Sequence, residues 1–300
     1  MVGRCAVVVI NPAAGQGRAA AAADALHAAF AREGFACEIL PAGAPGEVRR
    51  LAEEAAREGV GLFVAAGGDG TVNEAANGLA GSDTALGVLP FGTGNVLARH
   101  LGLPIGDTRA CVEALAHGVP VKVDLARAAD RYFLLMAGFG FDAVVVRHVI
   151  PEIKDRLGIA AYAPAIMTAL LAHRTTSVRL EVDGHEFCTD ASMVVIANAP
   201  NYGTNVRIAP KASMTDGLLD VCVFEKGIPE RLALVTQALK VLTCKAESDR
   251  NISYLTARHV RVVGEPPILA QIDGDPAGQT PMEVEVAPGA LTLMMPGGKD

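Results

Sequence analysis

The first 118 residues repeat one pattern four times: a short apolar run, a turn and a segment rich in helix-forming residues. Each apolar run is continuous rather than alternating, which is typical of parallel strands covered by helices on both faces of a sheet. The pattern predicts strands over residues 5–10, 35–40, 61–66 and 85–89. Because ligands of such sheets bind beyond the carboxyl ends of the strands, we expect the binding edge at the Gly- and Asn-rich turns that follow the first, third and fourth strands.

The sequence pattern changes near residue 120. Beyond it, runs such as "SVRLEVDG" and "HVRVVG" alternate apolar and polar residues and end in tight turns, which is typical of antiparallel strands. Helical patterns remain at residues 142–172 and 228–244. We predict an open parallel-sheet α/β domain over residues 1–120 and an antiparallel β-rich sandwich domain over residues 121–300, whose last run, "LTLMMP", returns to the first domain as a strand.

Composition excludes several classes of protein. The chain has 300 residues, 51% of them hydrophobic, which is enough for two cores. Its net charge of -7 and the lack of any basic run argue against nucleic acid as a partner, because phosphate binding requires clustered Lys and Arg. The six cysteines are scattered without a Cys-x-x-Cys pair, which indicates reduced thiols in the cytoplasm rather than a thiolate metal site.

Neither of two strongly apolar segments has the length needed for targeting or for crossing a membrane. The N-terminal run "CAVVVI" is shorter than the apolar core of a signal peptide. Residues 157–172 carry no charge, but Pro164 interrupts them, and a spanning helix needs about twenty residues. We expect a buried helix pair there and no transmembrane span. The alternatives are a lining for an apolar substrate or contact with a membrane surface.

The stretch "GGDGTVNE" places one acid among three glycines, where the third strand turns into a helix. The glycines allow a sharp turn and a close approach of backbone N–H groups to a ligand, and the helix N-terminus favours an anion. Thr71 and Glu74 have the spacing of a capping box, which we expect to begin the helix. Asp69 would repel a phosphate unless a cation lies between them, which predicts contact with Mg²⁺, direct or through water. A tight connection without a ligand is the alternative.

Five motifs occur in the order of one known family. They are "NPAAGQG" (11–17), "GGDGTVNEAANGL" (67–79), "LPFGTGNVLAR" (89–99), "TDGLLDVCVF" (215–224) and "QIDGDP" (271–276). In this set the chain resembles the diacylglycerol kinase catalytic domain family, which also contains sphingosine and ceramide kinases and bacterial soluble lipid kinases. The resemblance implies Mg²⁺- and ATP-dependent transfer of a phosphoryl group to a lipid hydroxyl, with the nucleotide in a cleft between the α/β domain and the β-rich domain.

The nucleotide contacts that the resemblance implies lie in the turns of the first domain. They are Asn11, Pro12, Ala13, Ala14, Gly15, Gly67, Gly68, Asp69, Gly70, Thr71, Val72, Asn73 and Thr93.

The same resemblance assigns residues to metal binding. Asp69 and Asp124, the latter in "VKVDLA", correspond to the acids that hold the catalytic Mg²⁺ through water. Ser213, Asp216 and Leu218 correspond to a second, structural metal site, in which the first and last contribute backbone carbonyls.

Two neighbouring acids are candidates for the catalytic base. Asp273 falls where the family's acceptor of the hydroxyl proton is expected, and Asp275 occupies the next acidic position. Without the resemblance, "IDGD" and "TDGLLD" also fit plain tight turns. Asp142, in "GFGFD", fits a helix N-cap better than a cleft-lining role.

Three positions depart from the family pattern. Val96 stands where many bacterial members have Asp, which removes one arm of the water-mediated Mg²⁺ network and is closer to the sphingosine-kinase-like pattern. Ala42 stands where some members have Thr, so one polar contact to the nucleotide is lost. Asp275 stands where Glu is usual, and its side chain is shorter by one methylene, which favours Asp273 as the base.

We expect a cytoplasmic lipid kinase that binds transiently to the inner face of the membrane, where it meets a diacylglycerol- or sphingosine-like substrate. Its net charge of -7 leaves apolar contact, rather than attraction to anionic lipid, as the basis of that binding. A homodimer is compatible with the sequence. The alternatives are a kinase for a water-soluble acceptor, since NAD kinases share the Gly-Gly-Asp-Gly turn, and a nucleotide- or lipid-binding protein without turnover.

Overall fold

The computed structural model describes residues 4–148, 165–166, 168–170, 176–202, 206–226 and 251–297. The chain divides into two compact units. Unit 1 comprises Met1–Val123 and Gly289–Asp300, and unit 2 comprises Asp124–Pro288.

A parallel sheet runs through unit 1. It consists of β1 (Arg4–Ile10), β2 (Phe35–Pro41), β3 (Leu62–Gly67), β4 (Ala85–Pro90) and the last residues of β17 (Met282–Met295). The strand order is β2-β1-β3-β4-β17, and each neighbouring pair is parallel. The four strands predicted from apolar runs are confirmed to within one residue at each end. Because β2 and β3 lie on opposite sides of β1, the chain changes direction across the sheet at the carboxyl ends of β1 and β3, where open α/β sheets bind their ligands.

Helices follow the strands of unit 1, as the alternating pattern predicts. In the described residues they are α1 (Arg18–Ala21), α2 (Ala23–Arg32), α3 (Glu47–Arg57), α4 (Asp69–Leu79), α5 (Val96–His100) and α6 (Thr108–Ala116). Helix α3 illustrates their amphipathic design. Arg49 and Arg50 form ion pairs one turn along with Glu53 and Glu54 on the exposed side, while Ala52 is fully buried.

Unit 2 consists mainly of antiparallel strands. They are β5 (Val119–Ala128, which begins in unit 1), β6 (Arg131–Phe133), β7 (Met136–Gly140), β8 (Thr176–Val182), β9 (His185–Ala197), β10 (Asn201–Tyr202), β11 (Val206–Arg207), β12 (Leu219–Glu225), β13 (Ile252–Ala257), β14 (His259–Glu265), β15 (Leu269–Ile272), β16 (Asp275–Gln279) and the first part of β17. One ladder has the order β16-β15-β7-β9-β8-β14-β17, and β12 joins β9 to β13. Helix α7 (Phe141–His148) directly follows β7.

Strand β9 organises the packing of unit 2. Its first half pairs with β8, and its second half lies between β7 and β12. Side chains of successive strand residues point to opposite faces, and here both faces are apolar. Val194 and Ile196 belong to one core cluster, while Val195 and Ala197 belong to another. The strand is therefore covered on both sides, which confirms the prediction of an antiparallel, sandwich-like second half.

Some details of unit 2 differ from the sequence pattern. The run "RYFLLMAG" (131–138), whose sequence predicts one strand, forms two, β6 and β7, and the sequence shows no strand-like run at β10, β11, β13, β15 or β16. The predicted helix at 228–244 and most of the uncharged segment 157–172 lie outside the described residues. Across the described ranges, no helix is both long enough and apolar enough to cross a membrane.

A buried acid on β12 makes the stability of unit 2 depend on pH. Asp220, on β12, is 6% exposed. Burial, together with the negative charge of Asp216 and against the positive charge of Lys211, raises the pKa of its carboxyl to about 6. Because the pKa is raised in the folded state, ionisation of Asp220 destabilises the fold as the pH rises from about 4 to about 6.

We predict that Asp220→Asn increases the free energy of unfolding at pH 7.5 by up to about 3 kcal/mol, since about two pKa units separate the folded and unfolded carboxyl. The gain should fade as the pH is lowered toward 4, where wild-type Asp220 stays protonated in the folded state and becomes partly protonated in the unfolded state. Denaturant unfolding of both proteins at pH 7.5 and 4 measures the difference. Asp130→Asn, at an exposed acid of the β5–β6 turn, is the control and should change stability little at either pH. A loss of stability at pH 7.5 for Asp220→Asn would contradict the prediction.

Candidate active site

Backbone hydrogen bonds join three turns of unit 1 at the carboxyl ends of β1, β3 and β4. The N–H of Asn11 donates to the carbonyl of Ala66 at 3.0 Å, and the N–H groups of Phe91 and Gly92 donate to the carbonyl of Gly67 at 2.9 and 3.2 Å. The Asn11 side-chain Nδ2 also lies 3.5 Å from Thr71 Oγ1. The structure therefore brings together the first, third and fourth turns, which the sequence predicts to form the binding edge.

Glycines allow these turns to touch through their backbones. A Cβ on Gly92 would lie 2.5 Å from Gly68 Cα, and a Cβ on Gly15 would lie 2.6 Å from the carbonyl oxygen of Phe91. Gly15 also has a φ of 61°, which favours glycine. Since no larger residue fits at these contacts, backbone rather than side chains forms this edge of the sheet.

The predicted nucleotide contacts occupy these turns. The turn after β1 contains Asn11, Pro12, Ala13, Ala14 and Gly15. Strand β3 ends at Gly67, Gly68 is the N-cap of α4, and the helix begins with Asp69, Gly70, Thr71, Val72 and Asn73. Thr93 is exposed between β4 and α5. The turn after β1 is internally bonded, because Asn11 Oδ1 accepts the N–H of Ala13 at 3.0 Å. Helix α4 begins without a side-chain cap, so its N-terminal N–H groups have the arrangement that binds anions.

Asp69 links two of the turns. Its Oδ1 accepts the backbone N–H of Val96 at 2.7 Å, across 27 residues of sequence. A Cβ on Gly94 would lie 2.7 Å from its Oδ2, so the glycine makes room for the carboxylate. Asp69 thus bonds the first N–H of α5 while it lies in the first turn of α4. Sequence reasoning assigned the acid to a cation and missed this second role.

Asn95 completes the turn between β4 and α5. It has a φ of 48°, is 4% exposed and donates from Nδ2 to the carbonyl of Gly92 at 2.7 Å. Its Oδ1 has no hydrogen-bond partner in the part of the chain that the structure describes. A buried acceptor of this kind is expected to bind water or a ligand donor.

The predicted capping box is wrong. Helix α4 begins at Asp69, two residues before Thr71, so Thr71 is not its N-cap. Glu74 Oε1 instead accepts the N–H of Gly46 at 3.1 Å, which joins α4 to the start of α3. The glycine turn, rather than a hydroxyl side chain, begins the helix, because an extended Gly68 leads directly into it.

Asp124 is the first residue of unit 2 and is 4% exposed. Its Oδ2 accepts the N–H of Gly217 at 2.7 Å, and its own N–H donates to the carbonyl of Met214 at 2.6 Å. Asn198 Nδ2 donates to its carbonyl at 2.9 Å. Asp124 therefore anchors the turn "SMTDGL"; its part in Mg²⁺ binding stays a prediction.

The residues predicted for a structural metal lie together in that turn. Asp216 Oδ1 accepts the N–H of Leu218 at 3.0 Å, and Ser213 Oγ accepts the N–H of Thr215 at 3.3 Å. Within the described ranges, no group of three or more His, Cys, Asp or Glu side chains is placed to hold a metal. Two of the three predicted ligands are backbone carbonyls, and the metal role of Ser213, Asp216 and Leu218 stays a prediction.

Asp273 and Gly274 form a two-residue hairpin turn between β15 and β16. Both have positive φ, 48° and 86°, as a type I′ turn requires, and Ile272 pairs with Asp275 directly beyond them. The Asp273 carboxylate accepts three backbone N–H groups: Oδ1 accepts those of Leu135 at 3.0 Å and Met136 at 2.9 Å, and Oδ2 accepts that of Leu134 at 2.9 Å. The turn interpretation of "IDGD" is therefore confirmed, and Asp273 fixes it to the start of β7.

Asp275 has a different environment. Its side chain is 63% exposed, and Arg131 Nη1 lies 3.9 Å from its Oδ2. Arg131 also donates to the carbonyl of Ile272 at 3.3 Å. One acid of the pair is thus fixed by the backbone, and the other projects from the turn beside a cation.

The N-cap role expected for Asp142 is wrong. Helix α7 begins at Phe141, so Asp142 lies inside its first turn. It is 2% exposed and accepts a hydrogen bond from Gln271 Nε2 at 2.6 Å. Sequence reasoning missed Gln271, because nothing in its local sequence shows that it faces an acid 129 residues away.

Two family models match the chain. The diacylglycerol kinase catalytic domain matches residues 5–128, and the YegS C-terminal NAD kinase beta sandwich-like domain matches residues 136–295.

Individual relatives agree with the family models. The chain is 32% identical to a diacylglycerol kinase of Bacillus subtilis, over 85% of this chain and 84% of that protein. It is also 32% identical to an uncharacterized protein of Synechocystis over 83% of this chain, although it spans only 58% of that longer protein. A crystal structure of a candidate diacylglycerol kinase from Bacillus anthracis matches 98% of this chain and 96% of its own, with a TM-score of 0.82 and 25% identity. The chain therefore belongs to the family of diacylglycerol kinases and YegS-like lipid kinases, and it is a kinase.

Proposed function

We propose that the protein transfers the γ-phosphoryl group of ATP to the hydroxyl group of a diacylglycerol- or sphingosine-like lipid, with Mg²⁺ as the cofactor. The observation that carries the proposal is the edge of the unit 1 sheet, where backbone turns meet at the N-terminus of α4 without a side-chain cap. Catalysis of phosphoryl transfer requires mainly that the reactants are positioned and that the phosphate charge is neutralised, and such an edge provides both.

The nucleotide half of the proposal rests on unit 1. N–H groups at the start of α4 bind the phosphates, supported by the helix dipole. Asp69, at the same helix start, fits Mg²⁺ rather than phosphate, because a carboxylate there needs a cation between itself and the anion. Magnesium commonly uses one or two carboxylates together with substrate phosphates and water, so a cluster of protein ligands is not required. When bound, the ion would neutralise phosphate charge.

The acceptor half of the proposal rests on unit 2, and the geometry favours Asp275 as the base. A base must offer a lone pair to the hydroxyl proton, whereas backbone N–H groups already use three of the roughly four lone-pair sites of the Asp273 carboxylate. The exposed Asp275 carboxylate can meet a substrate. The lipid oxygen bonds to the γ-phosphorus as the bond to the bridging oxygen breaks, the hydroxyl proton passes to Asp275, and ADP leaves.

A cavity of about 180 Å³ in unit 2 supports a lipid acceptor. Much of its lining is apolar, and it includes Phe139, Val144, Val178, Met193, Ile268 and Leu269. Leu269 begins β15, and the Asp273–Gly274 turn directly follows that strand. At about 3.4 Å per residue, the cavity-lining Leu269 lies roughly 13 Å along the strand from Asp273. An acyl chain in the cavity would therefore lie about that far from the turn. This spacing suits a lipid whose hydroxyl meets Asp275 while an apolar chain is buried.

The first test identifies the acceptor. Purified protein is incubated with Mg²⁺, γ-labelled ATP and either a total lipid extract or NAD. We expect label in the lipid phase and none in NAD, because the acceptor site proposed here combines a carboxylate with an apolar cavity. Label only in NAD would contradict the lipid acceptor, and no label anywhere would indicate a binding protein without turnover. A panel of pure lipids then identifies the head group.

The second test separates the two roles of Asp69. In Asp69→Asn, the amide oxygen can still accept the N–H of Val96, but the negative charge is lost. We expect the melting temperature to change little and kcat to fall by about 100-fold or more, the usual effect of removing one electrostatic contact to the transition state. Asp69→Ala should lose both activity and stability. Full activity of Asp69→Asn at saturating Mg²⁺ would contradict a role for the charge.

The third test assigns the base. Asp275→Asn should keep the melting temperature of the wild type and lower kcat by about 100-fold or more. Asp273→Asn should lower the free energy of unfolding by about 1–3 kcal/mol, because its NH₂ group would face a backbone N–H. We expect Asp273→Asn to retain more activity than Asp275→Asn when both are folded. The opposite order of activities would make Asp273 the base.

A further inference from the structure

A buried hydrogen-bond chain runs from α7 to the Asp273–Gly274 turn. Gln271 is 1% exposed and uses both ends of its amide: Nε2 donates to Asp142 Oδ2 at 2.6 Å, and Oε1 accepts the N–H of Gly274 at 2.8 Å. This hydrogen-bond chain ends at Gly274, the second residue of the turn. Asp273, the first residue of the turn, bonds the start of β7. The turn is held at both of its residues.

Asp142 sets the orientation of the Gln271 amide. An amide placed the other way round would bring its oxygen against the Asp142 carboxyl and its NH₂ against the N–H of Gly274. Both contacts would be unfavourable, so the acid on α7 determines that an acceptor, rather than a donor, faces the turn. The two side chains therefore act as one unit.

The backbone leaves space for this pair at Gly138. Gly138 lies opposite Gln271 in the β7–β15 register. A Cβ on Gly138 would overlap Asp142 Oδ2 and lie 2.6 Å from Gln271 Nε2. The missing side chain is thus replaced by two polar groups that satisfy each other and the turn. Buried polar groups of this kind are costly unless fully bonded, and when they are bonded they hold one arrangement of the backbone.

We infer that Gln271 and Asp142 are positioning residues, which hold the Asp273–Gly274 turn so that the carboxyl group of Asp275 meets the acceptor hydroxyl. This inference rests on the proposed lipid kinase reaction. Neither residue touches the substrate; both act through the backbone that carries Asp275.

An exchange of the two functional groups tests the inference. Gln271→Glu places a carboxylate against the carboxyl of Asp142 and should lower kcat by about 100-fold, since displacement of a reacting group by about 1 Å has an effect of that size. Asp142→Asn should be mild, because its amide oxygen can still accept from Gln271. In the double variant, the amide of residue 142 donates to the carboxylate of residue 271, which still accepts the N–H of Gly274. We expect kcat of the double variant within about tenfold of the wild type.

Two readouts separate positioning from a merely structural role. The KM for ATP and the affinity for nucleotide should not change in Gln271→Glu, because the proposed nucleotide contacts lie in unit 1. Gln279→Glu makes the same chemical change at the exposed end of β16 and should leave kcat unchanged. Circular dichroism and thermal melting confirm that each variant is folded.

The possible outcomes are distinct. Folded Gln271→Glu with kcat within twofold of the wild type would overturn the inference and leave the kinase proposal intact. If Gln271→Glu cannot be purified, the double variant alone is decisive, and a folded double variant with about 100-fold lower kcat would overturn the inference. A wild-type protein that labels no lipid would overturn the proposed function and the positioning role together.

Discussion

Bonds from carboxylates to backbone N–H groups hold the candidate site together. Asp69 accepts the N–H of Val96, Asp124 accepts that of Gly217, and Asp273 accepts three N–H groups at the start of β7. Each bond joins segments that are far apart in sequence, by 27, 93 and up to 139 residues. Hydrogen bonds with an ionised acceptor are shorter and stronger than neutral ones. The acids that suggest chemistry in the sequence are therefore also what positions the turns.

The sequence predicted the parts of the fold in which local pattern and tertiary environment agree. Continuous apolar runs located β1 to β4 because helices on both faces of a parallel sheet impose that pattern. The Asp273–Gly274 pair predicted a hairpin because positive φ at both residues suits those residue types. The same local reasoning failed at Thr71 and Glu74, where a capping box was expected. Glu74 instead accepts the N–H of Gly46, the N-cap of α3, and no spacing rule can show a partner 28 residues away.

Val96 contacts Asp69 through its backbone and not through its side chain. The absence of an acid at this position suggested a weakened Mg²⁺ network. In the structure, the Val96 backbone N–H bonds Asp69, and its side chain is 9% exposed among the apolar residues of α5. Any residue except proline could make that backbone bond. A valine at position 96 therefore keeps the bond that positions Asp69. What it lacks is a second carboxylate beside Asp69.

The two acids of the "IDGD" turn have different roles: Asp273 fixes the backbone, and Asp275 is the proposed base. A carboxylate that accepts three N–H groups fixes the backbone but keeps little acceptor capacity, whereas an exposed carboxylate can accept a proton but has little to hold it. Asp275 is also one methylene shorter than a Glu would be, so it has one fewer torsion with which to correct a misplaced backbone. A short base requires a well-placed turn. This requirement gives a physical reason for Gln271 and Asp142 to be buried, and for Asp273 to be half-buried, beneath a residue that is itself exposed.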